Sequence, residues 1–213
     1  MSGSAGAILA GGKSSRMGEN KAAMVIAGET LLHRLVRRLS TAVDEVLVIG
    51  PETLMPLISP SAARIVPDIV PMIGPLGGLY TALKATVCDR VFLMACDMPF
   101  VQPGLVRAML ALAGANPIAK ANPIAEAVVI PDGQRAQPLH AVYTKDSLPA
   151  IEQALAADDH SLRALLAHLS VVPVSAEIIS REDPHGISTF NVNTPADWQR
   201  ALLLARELEP SER

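Results

Sequence analysis

A glycine-rich loop near the start of the chain has the composition of a phosphate-binding loop. It runs from Leu9 to Lys21, with the letters L-A-G-G-K-S-S-R-M-G-E-N-K, directly after an apolar run. The paired glycines Gly11 and Gly12 let backbone N–H groups approach anionic oxygens because no Cβ stands in the way. Arg16 can bind an anion bidentately, and Lys21 supplies a movable point charge. We expect this loop to bind a phosphorylated ligand; the alternative is a glycine-rich turn with exposed cations.

The loop differs from the better-known phosphate-binding motifs. Gly12-Lys13-Ser14 matches the end of a Walker P-loop, but Ala7 stands where the first glycine of that motif belongs. The residues between, Ile8 to Gly11, are typical of a strand and not of a loop that wraps phosphates. The G-x-G-x-x-G pattern of dinucleotide-binding folds does not occur in the sequence either.

Asp97 is a candidate metal ligand. It directly follows the apolar run Val91 to Cys96 and precedes Met98-Pro99. Burying an unpaired carboxylate at the end of a strand is costly, whereas Mg²⁺ that bridges it to NTP phosphate oxygens removes the cost and supplies a Lewis acid. The alternative is that Asp97 caps a helix over residues 103–113.

A second carboxylate, Asp68, follows the apolar run Arg64 to Val66. Shortly after it, the letters G-P-L-G-G at Gly74 to Gly78 lead into a predicted helix. We expect Asp68 to contact a nucleotide or an acceptor, and the glycines to allow close backbone approach at a helix N-terminus. An ordinary Gly-Pro turn with a solvated aspartate is the alternative.

Four of the five histidines fall into two groups. His33, His160 and His168 lie on predicted helices, and their spacing implies no carboxylate or serine partner, so we expect them to be non-catalytic. His140 lies in the segment Gln-Pro-Leu-His just after a predicted turn at Asp132-Gly133. We expect His140 to face the acceptor.

Strands that alternate with helices must position these residues. Apolar runs predict strands at Ala7–Ala10, Val46–Ile49, Arg64–Val66, Val91–Cys96, Ala127–Ile130, Leu139–Tyr143 and Val171–Val174. Helical spacing of apolar residues predicts helices around Leu31–Leu39, Leu79–Leu83, Leu105–Leu112 and Ile151–Leu155, with arginines and lysines on the opposite face. The alternation predicts a three-layer α/β/α fold around a mostly parallel, twisted sheet, with ligands bound beyond the carboxyl ends of the strands.

Two further segments have clear local signals. Thr194 can cap a last helix, Pro195 suits its first position, and Asp197 favours the positive end of its dipole, so we expect a helix body from Ala196 to about Glu207. The tandem copy A-N-P-I-A at residues 115–119 and 121–125 predicts a loop insertion, since Asn-Pro pairs disfavour helix.

Composition restricts the classes of partner and compartment. With 213 residues, half of them apolar, the chain is predicted to form a single α/β domain over residues 1–213. A net charge of −3 and 3% aromatic residues argue against binding to nucleic acid. Cys88 and Cys96 are too few for a zinc site or a disulfide framework, and Cys96 is predicted to be a core residue. No apolar run reaches the roughly 20 residues of a membrane span, so we expect a cytoplasmic protein without membrane contact.

Six motifs follow one another along nearly the whole chain. They are L-A-G-G-x-S-x-R-M-G-x-x-K at Leu9–Lys21, Pro67-Asp68, G-P-L-G-G at Gly74–Gly78, C-D-M-P at Cys96–Pro99, Q-P-L-H at Gln137–His140, and N-V-N-T-P at Asn191–Pro195. In this order they resemble the motifs of the molybdenum cofactor guanylyltransferases, within the wider family of Rossmann-like nucleotidyltransferases. The first and the last motifs are the most specific.

The resemblance implies a reaction in which the terminal phosphate of molybdenum-molybdopterin attacks the α-phosphorus of GTP. The products are molybdopterin guanine dinucleotide and pyrophosphate, and no covalent enzyme intermediate is required. Catalysis would come from alignment of two anions and neutralisation of charge, by Mg²⁺ on Asp97 and by Arg16 and Lys21. Apo-molybdoenzymes or their chaperones would be further partners.

The resemblance also divides the chain into a nucleotide-binding half, about residues 6–110, and an acceptor-binding half, about 127–207. The residues implied to bind the nucleotide are Leu9, Ala10, Gly11, Gly12, Lys21, Asp68 and Asp97. The resemblance implies that Gly74, Gly78, Asn191 and Asn193 bind the acceptor, together with the His140 predicted above, and that Asn193 is also a second metal ligand beside Asp97.

Three alternatives remain open on the sequence alone. A cytidylyltransferase for the same cofactor is one, and a nucleotidyltransferase for another small phosphate is the second. The chain has Ile49-Gly50-Pro51 where the family leads us to expect an asparagine that contacts the base or ribose, whereas Gly11 favours guanine. The third alternative is a non-catalytic, nucleotide-binding regulatory module, and retention of Arg16, Lys21 and Asp97 together argues against it.

Overall fold

A seven-stranded sheet between two layers of helices forms the centre of the molecule. The computed structural model describes residues 3–11, 21–114, 125–133 and 135–208. The strands are β1 (Ser4–Leu9), β2 (Val25–Ile26), β3 (Glu29–Thr30), β4 (Glu45–Ile49), β5 (Arg64–Val66), β6 (Arg90–Ala95), β7 (Ala127–Asp132), β8 (Arg135–Thr144) and β9 (Val171–Pro173). The helices are α1 (Leu31–Leu39), α2 (Pro75–Ala85), α3 (Pro103–Gly114), α4 (Leu148–Ala156), α5 (Leu162–Leu166), α6 (Ala176–Glu182) and α7 (Pro195–Leu208).

The strand order in the sheet is β5-β4-β1-β6-β8-β7-β9. The pairs β1–β4, β1–β6, β4–β5 and β7–β9 are parallel, whereas β8 runs antiparallel to both β6 and β7. Strands β2 and β3 form a separate two-stranded sheet. The predicted mostly parallel α/β sheet is confirmed, and each of the seven strands predicted from apolar runs is present.

The sheet carries one apolar core on each face because successive residues of a strand point to opposite sides. Ile8 and Met94 pack with α1 and α3 on one face. Ala7 and Leu93 pack with α2, α4 and α5 on the other. A third cluster, which includes Ile26, Phe100 and Val192, packs α7 against β2 and the loop after β6. The central sheet is therefore covered by helices on both faces.

Helix α1 corrects one prediction about charge. Arginines were expected opposite the apolar face, but Arg34 is buried, with 1% of its surface exposed. Its Nε donates to the carbonyl oxygen of Pro99 at 2.9 Å, and its Nη1 donates to Glu29 at 3.1 Å. The guanidinium also lies 5.8 Å from the ring centroid of Phe100. Burial is tolerated because the charge is paired and hydrogen-bonded.

The last helix begins where its cap signals predict. The Thr194 hydroxyl accepts from the backbone N–H of Asp197 at 3.1 Å, and the Asp197 carboxylate accepts from the backbone N–H of Thr194 at 2.8 Å. This reciprocal pair is a capping box. It fixes the chain direction immediately after Asn193, whose own N–H also donates to Asp197, at 3.0 Å.

Some predictions fall on residues that the structure does not describe. Residues 12–20 and 115–124 are among them, so the loop insertion of the tandem copy stays a prediction. The division into two functional halves also stays a prediction.

Among the described helices, none is both long and apolar enough to cross a membrane.

Candidate active site

The carboxyl ends of three neighbouring strands meet at one edge of the sheet. Leu9 pairs with Ile49 on one side and with Ala95 on the other. Hydrogen bonds continue beyond the strands, since Ala10 N donates to Ile49 O at 2.9 Å and Cys96 N donates to Leu9 O at 3.0 Å. The glycine-rich loop and Asp97 therefore leave the sheet side by side.

Lys21, Asp97 and Asn193 come together above this edge. The Lys21 ammonium lies 3.3 Å from Asp97 Oδ2 and donates to the backbone carbonyl of Val192 at 2.7 Å. It also lies 3.4 Å from Asn193 Oδ1. The Lys21 and Asp97 side chains are 19% and 21% exposed, so their pairing is partly shielded from water yet open to a ligand. We call these three residues the Lys21 cluster.

Backbone contacts hold the Asp97 loop against the segment that carries Asn193. Val192 N donates to the carbonyl oxygen of Asp97 at 2.9 Å. The Asp97 carboxylate does not cap α3, since one oxygen is engaged by Lys21 and Asp97 Oδ1 is buried with no hydrogen-bond partner among the described residues. A buried carboxylate oxygen without a protein partner is a position where a cation or a hydrogen-bond donor would fit.

The donor atoms of the Lys21 cluster suit a hard cation. Asp97 offers a carboxylate oxygen and Asn193 an amide oxygen, the ligand types that Mg²⁺ prefers. Among residues 3–11, 21–114, 125–133 and 135–208, no three acidic, His or Cys side chains form a metal cage. This arrangement fits Mg²⁺, which is commonly held by one or two carboxylates plus substrate phosphates and water.

Asp68 lies beside the glycine-rich loop. A Cβ placed on Gly11 would stand 3.5 Å from Asp68 Oδ2, and Asp68 Oδ1 is buried without a partner among the described residues. Burial raises the pKa of Asp68 above its ordinary value of 3.8. A carboxylate kept in this position at a cost to its ionised form is typical of a ligand-binding group.

The glycines at the start of α2 have different physical roles. Gly74 has φ +75° and precedes the first residue of the helix, and it is exposed. Gly78 is buried, and a Cβ there would stand 2.6 Å from Leu9 Cδ2. Gly78 thus allows α2 to pack against the end of β1, and Gly74 is the better placed of the two to contact an acceptor.

The expectation that His140 faces the acceptor is not met. The side chain of His140 has no exposed surface, and burial lowers its pKa to about 3. Its Nε2 lies 3.0 Å from Ser188 Oγ, and its ring meets Phe92 edge-on with centroids 4.9 Å apart. In the register of β8 against β6, His140 lies opposite the core residue Met94. The ring therefore enters the core and not the site at the strand ends.

The remaining predicted residues take various positions. Asn191 is half-buried, and its amide donates to the Thr189 carbonyl at 3.2 Å, so it is occupied within its own segment. Leu9 and Ala10 are half-buried and Gly11 is exposed at the start of the loop. Gly12 and Arg16 lie outside the described residues, and their roles stay predictions.

Sequence reasoning missed the part that Arg34 plays. It holds the loop after Asp97 through Pro99, while Arg38 Nε donates to Val101 O in the same loop at 2.7 Å. Leu31, Arg34 and Arg38 share the helical spacing i, i+3 and i+7 along one face, but this spacing identifies no partner for a buried arginine.

Comparisons with known proteins identify the family. The sequence profile described as MobA-like NTP transferase domain matches residues 6–174. The chain belongs to this family. The family predicted from the motifs is confirmed.

Two relatives and one solved structure illustrate the similarity. A protein of Pelotomaculum thermopropionicum named probable molybdenum cofactor guanylyltransferase is 34% identical, over 94% of this chain and 92% of the relative. The molybdenum cofactor guanylyltransferase of Syntrophotalea carbinolica is 32% identical, over 91% and 88%. The crystal structure of molybdopterin-guanine dinucleotide biosynthesis protein A from Archaeoglobus fulgidus has a TM-score of 0.79 at 23% identity, covering 95% of this chain and 99% of that one. At that identity the likeness shows the fold alone.

Proposed function

We propose that this MobA-like chain transfers GMP from GTP to molybdenum-molybdopterin. An oxygen of the acceptor's terminal phosphate attacks the α-phosphorus of GTP, and the bond from that phosphorus to the β-phosphate bridging oxygen breaks. The products are molybdopterin guanine dinucleotide and pyrophosphate. The names of relatives matched over about nine tenths of the chain support the choice of guanylyl transfer.

The convergence of Lys21, Asp97 and Asn193 is the observation that carries the proposal. It brings a cation 3.3 Å from a carboxylate at the edge of the sheet where ligands bind in open α/β folds. A binding module needs no such combination, whereas transfer between two anions requires charge neutralisation and alignment at one point. The Lys21 cluster therefore supports catalysis over mere retention of a nucleotide.

Magnesium fits Asp97 Oδ1, which has no hydrogen-bond partner among the described residues. In this proposal Asp97 and Asn193 hold the ion, which would supply Lewis-acid stabilisation of the triphosphate oxygens. Lys21 is anchored by the Val192 carbonyl and directs its charge toward the same space. Asp68 and the exposed Gly11 contact the nucleoside, and Gly74 and Asn193 lie on the acceptor side.

Product analysis tests the proposal directly. The purified chain is incubated with molybdenum-molybdopterin, Mg²⁺ and each of the four NTPs, and the products are identified by mass together with released pyrophosphate. We expect the guanine dinucleotide from GTP. A cytosine dinucleotide from CTP would assign the chain to cytidylyl transfer, and nucleotide binding without pyrophosphate release would make it a regulatory module.

The product and its compartment complete the proposal. Apo-molybdoenzymes or their chaperones are the proposed recipients of the dinucleotide product. We also propose that the reaction takes place in the cytoplasm, where GTP is available and the free thiols of Cys88 and Cys96 stay reduced.

A further inference from the structure

Ser188 joins three separate parts of the chain. Its hydroxyl oxygen accepts from Gln102 N at 3.1 Å and lies 3.0 Å from His140 Nε2. Its backbone N–H donates to the Asp183 carboxylate at 2.9 Å. Ser188 and His140 have no exposed surface, and Asp183 is 6% exposed. We call these four residues, Gln102, His140, Asp183 and Ser188, the Ser188 junction.

The direction of the hydrogen bond inside the Ser188 junction follows from its chemistry. Since the Ser188 hydroxyl oxygen already accepts from Gln102, its proton is available for His140 Nε2. His140 Nδ1 is buried with no partner among the described residues. If Ser188 donates, only the Nδ1–H is left unsatisfied, whereas the reverse direction leaves both the hydroxyl proton and the Nδ1 lone pair without partners. A neutral His140 that accepts at Nε2 is therefore the better arrangement.

The Ser188 junction lies at the base of the segment that supplies Asn193. Residues 188–193 are tied twice to the loop 97–102, by Ser188 Oγ to Gln102 N and by Val192 N to Asp97 O at 2.9 Å. His140 lies on β8 and is paired with Met94 of the adjacent strand β6. It therefore connects these two segments to the central sheet. A displacement at Ser188 would therefore move the segment relative to Asp97.

We propose that the His140–Ser188 hydrogen bond positions residues 188–193 so that Asn193 and the Val192 carbonyl meet Lys21 beside Asp97. His140 is then a positioning residue, and it acts on the reaction without touching substrate. This proposal rests on the proposed function only for its effect on turnover; its effect on the segment itself does not depend on which reaction takes place.

Two substitutions at His140 separate positioning from packing. His140→Leu removes the acceptor nitrogen, whereas His140→Gln keeps a hydrogen-bond acceptor near the position of Nε2. Ser188→Ala removes the other partner and serves if His140→Leu fails to fold. Leu165→Ala is the control, because Leu165 is buried in the core on the other face of the sheet.

Each variant is measured in two ways well below its melting temperature. The first is NMR-detected amide exchange of Val192, whose N–H donates to Asp97. The second is kcat and KM for the transfer reaction. We expect His140→Leu and Ser188→Ala to speed exchange at Val192 about tenfold or more and to lower kcat/KM for the acceptor by about tenfold or more, and His140→Gln to restore both largely.

The outcomes distinguish the two ideas. If His140→Leu and Ser188→Ala show the same Val192 exchange and the same turnover as Leu165→Ala, at a similar loss of melting temperature, the positioning role is overturned and His140 is a packing residue. His140→Gln behaving like His140→Leu would also overturn it. If the wild-type chain transfers no nucleotide, the proposed function fails, while the exchange of Val192 still decides whether the Ser188 junction positions the segment.

Discussion

Lys21 and Asp97 stand 3.3 Å apart although 76 positions separate them in the sequence. Lys21 ends the glycine-rich loop that follows β1, and Asp97 follows β6, the strand beside β1 in the sheet. Their pairing is supported by the Val192 carbonyl, which accepts from the same ammonium at 2.7 Å. A neutralised carboxylate whose second oxygen has no partner in the described part of the chain can exchange part of its lysine contact for a metal ion.

Asp97→Asn is expected to abolish most turnover and leave the fold intact. The substitution removes the charge that Mg²⁺ would bind but adds no volume, and the backbone bond from Val192 N to Asp97 O is kept. The loss in kcat should be roughly 10²-fold or more, the scale of losing one well-placed electrostatic group. Steady-state kinetics under saturating Mg²⁺ and a melting curve test it. Near-normal activity would show that the metal assignment is wrong.

Lys21→Ala is expected to weaken triphosphate binding and slow transfer. Lys84→Ala is its matched control, since Lys84 is paired with Glu152 at 3.0 Å on the surface between α2 and α4. Lys13→Ala should also have little effect, because only a Walker loop needs a lysine directly after its paired glycines. KM for GTP and kcat are measured for all three. An essential Lys13 with a dispensable Lys21 would contradict the family's chemistry.

Asn193→Ala should depress transfer far more than stability. Its amide oxygen faces Lys21 at 3.4 Å, while its backbone N–H, which helps to start α7, is unaffected by the substitution. Loss of one local side-chain contact costs about 1 kcal/mol of unfolding free energy. Asn191→Ala is the comparison, because that amide is occupied by Thr189. An Asn193 variant that melts early yet turns over normally would make Asn193 a turn residue.

Much of the site's location could be predicted, because it depends on strand ends. The apolar runs before Gly11, Asp68 and Asp97 are short, clear and bounded by turn residues, and parallel strands bring their carboxyl ends to one edge. The capping pattern of Thr194 and Asp197 is local and needs no tertiary information. These features can be derived from spacing alone.

The side-chain directions of His140 and Arg34 could not be predicted in this way. The face of the sheet that His140 occupies depends on the register between β8 and β6, and a shift of one residue would reverse it. Arg34 looks like a surface residue until the loop after Asp97 supplies the Pro99 carbonyl as its partner. Both depend on contacts between distant parts of the chain, which local patterns do not encode.

Asp68→Asn is expected to stabilise the protein while impairing nucleotide binding. Burial raises the pKa of Asp68 above 3.8, so the ionised carboxylate is disfavoured in the folded state. The resulting loss of folding stability is absent below pH 3.8 and develops as the pH rises through the folded pKa. The variant should therefore melt higher than the wild type at pH 7, with a difference that shrinks toward pH 4. Equal melting at pH 7 would mean that the carboxylate is satisfied in the free protein.

His140 predicts a loss of stability in mild acid. Burial lowers the pKa of His140 in the folded protein to about 3, below its ordinary value of 6.5. Between these two pH values the unfolded chain therefore binds a proton at His140 that the folded chain does not bind. Stability contributed by the neutral ring is complete above pH 6.5 and declines as the pH falls from there toward 3. At pH 5 the decline from this group alone should reach about 2 kcal/mol, from 1.36 kcal/mol per pH unit.

His140→Gln has no such proton to bind, so its melting temperature should fall less than that of the wild type between pH 7 and pH 5. Parallel curves for the two proteins over this range would show that the ring is protonated in the folded state, and that His140 is less completely shielded than its contacts with Phe92 and Ser188 indicate.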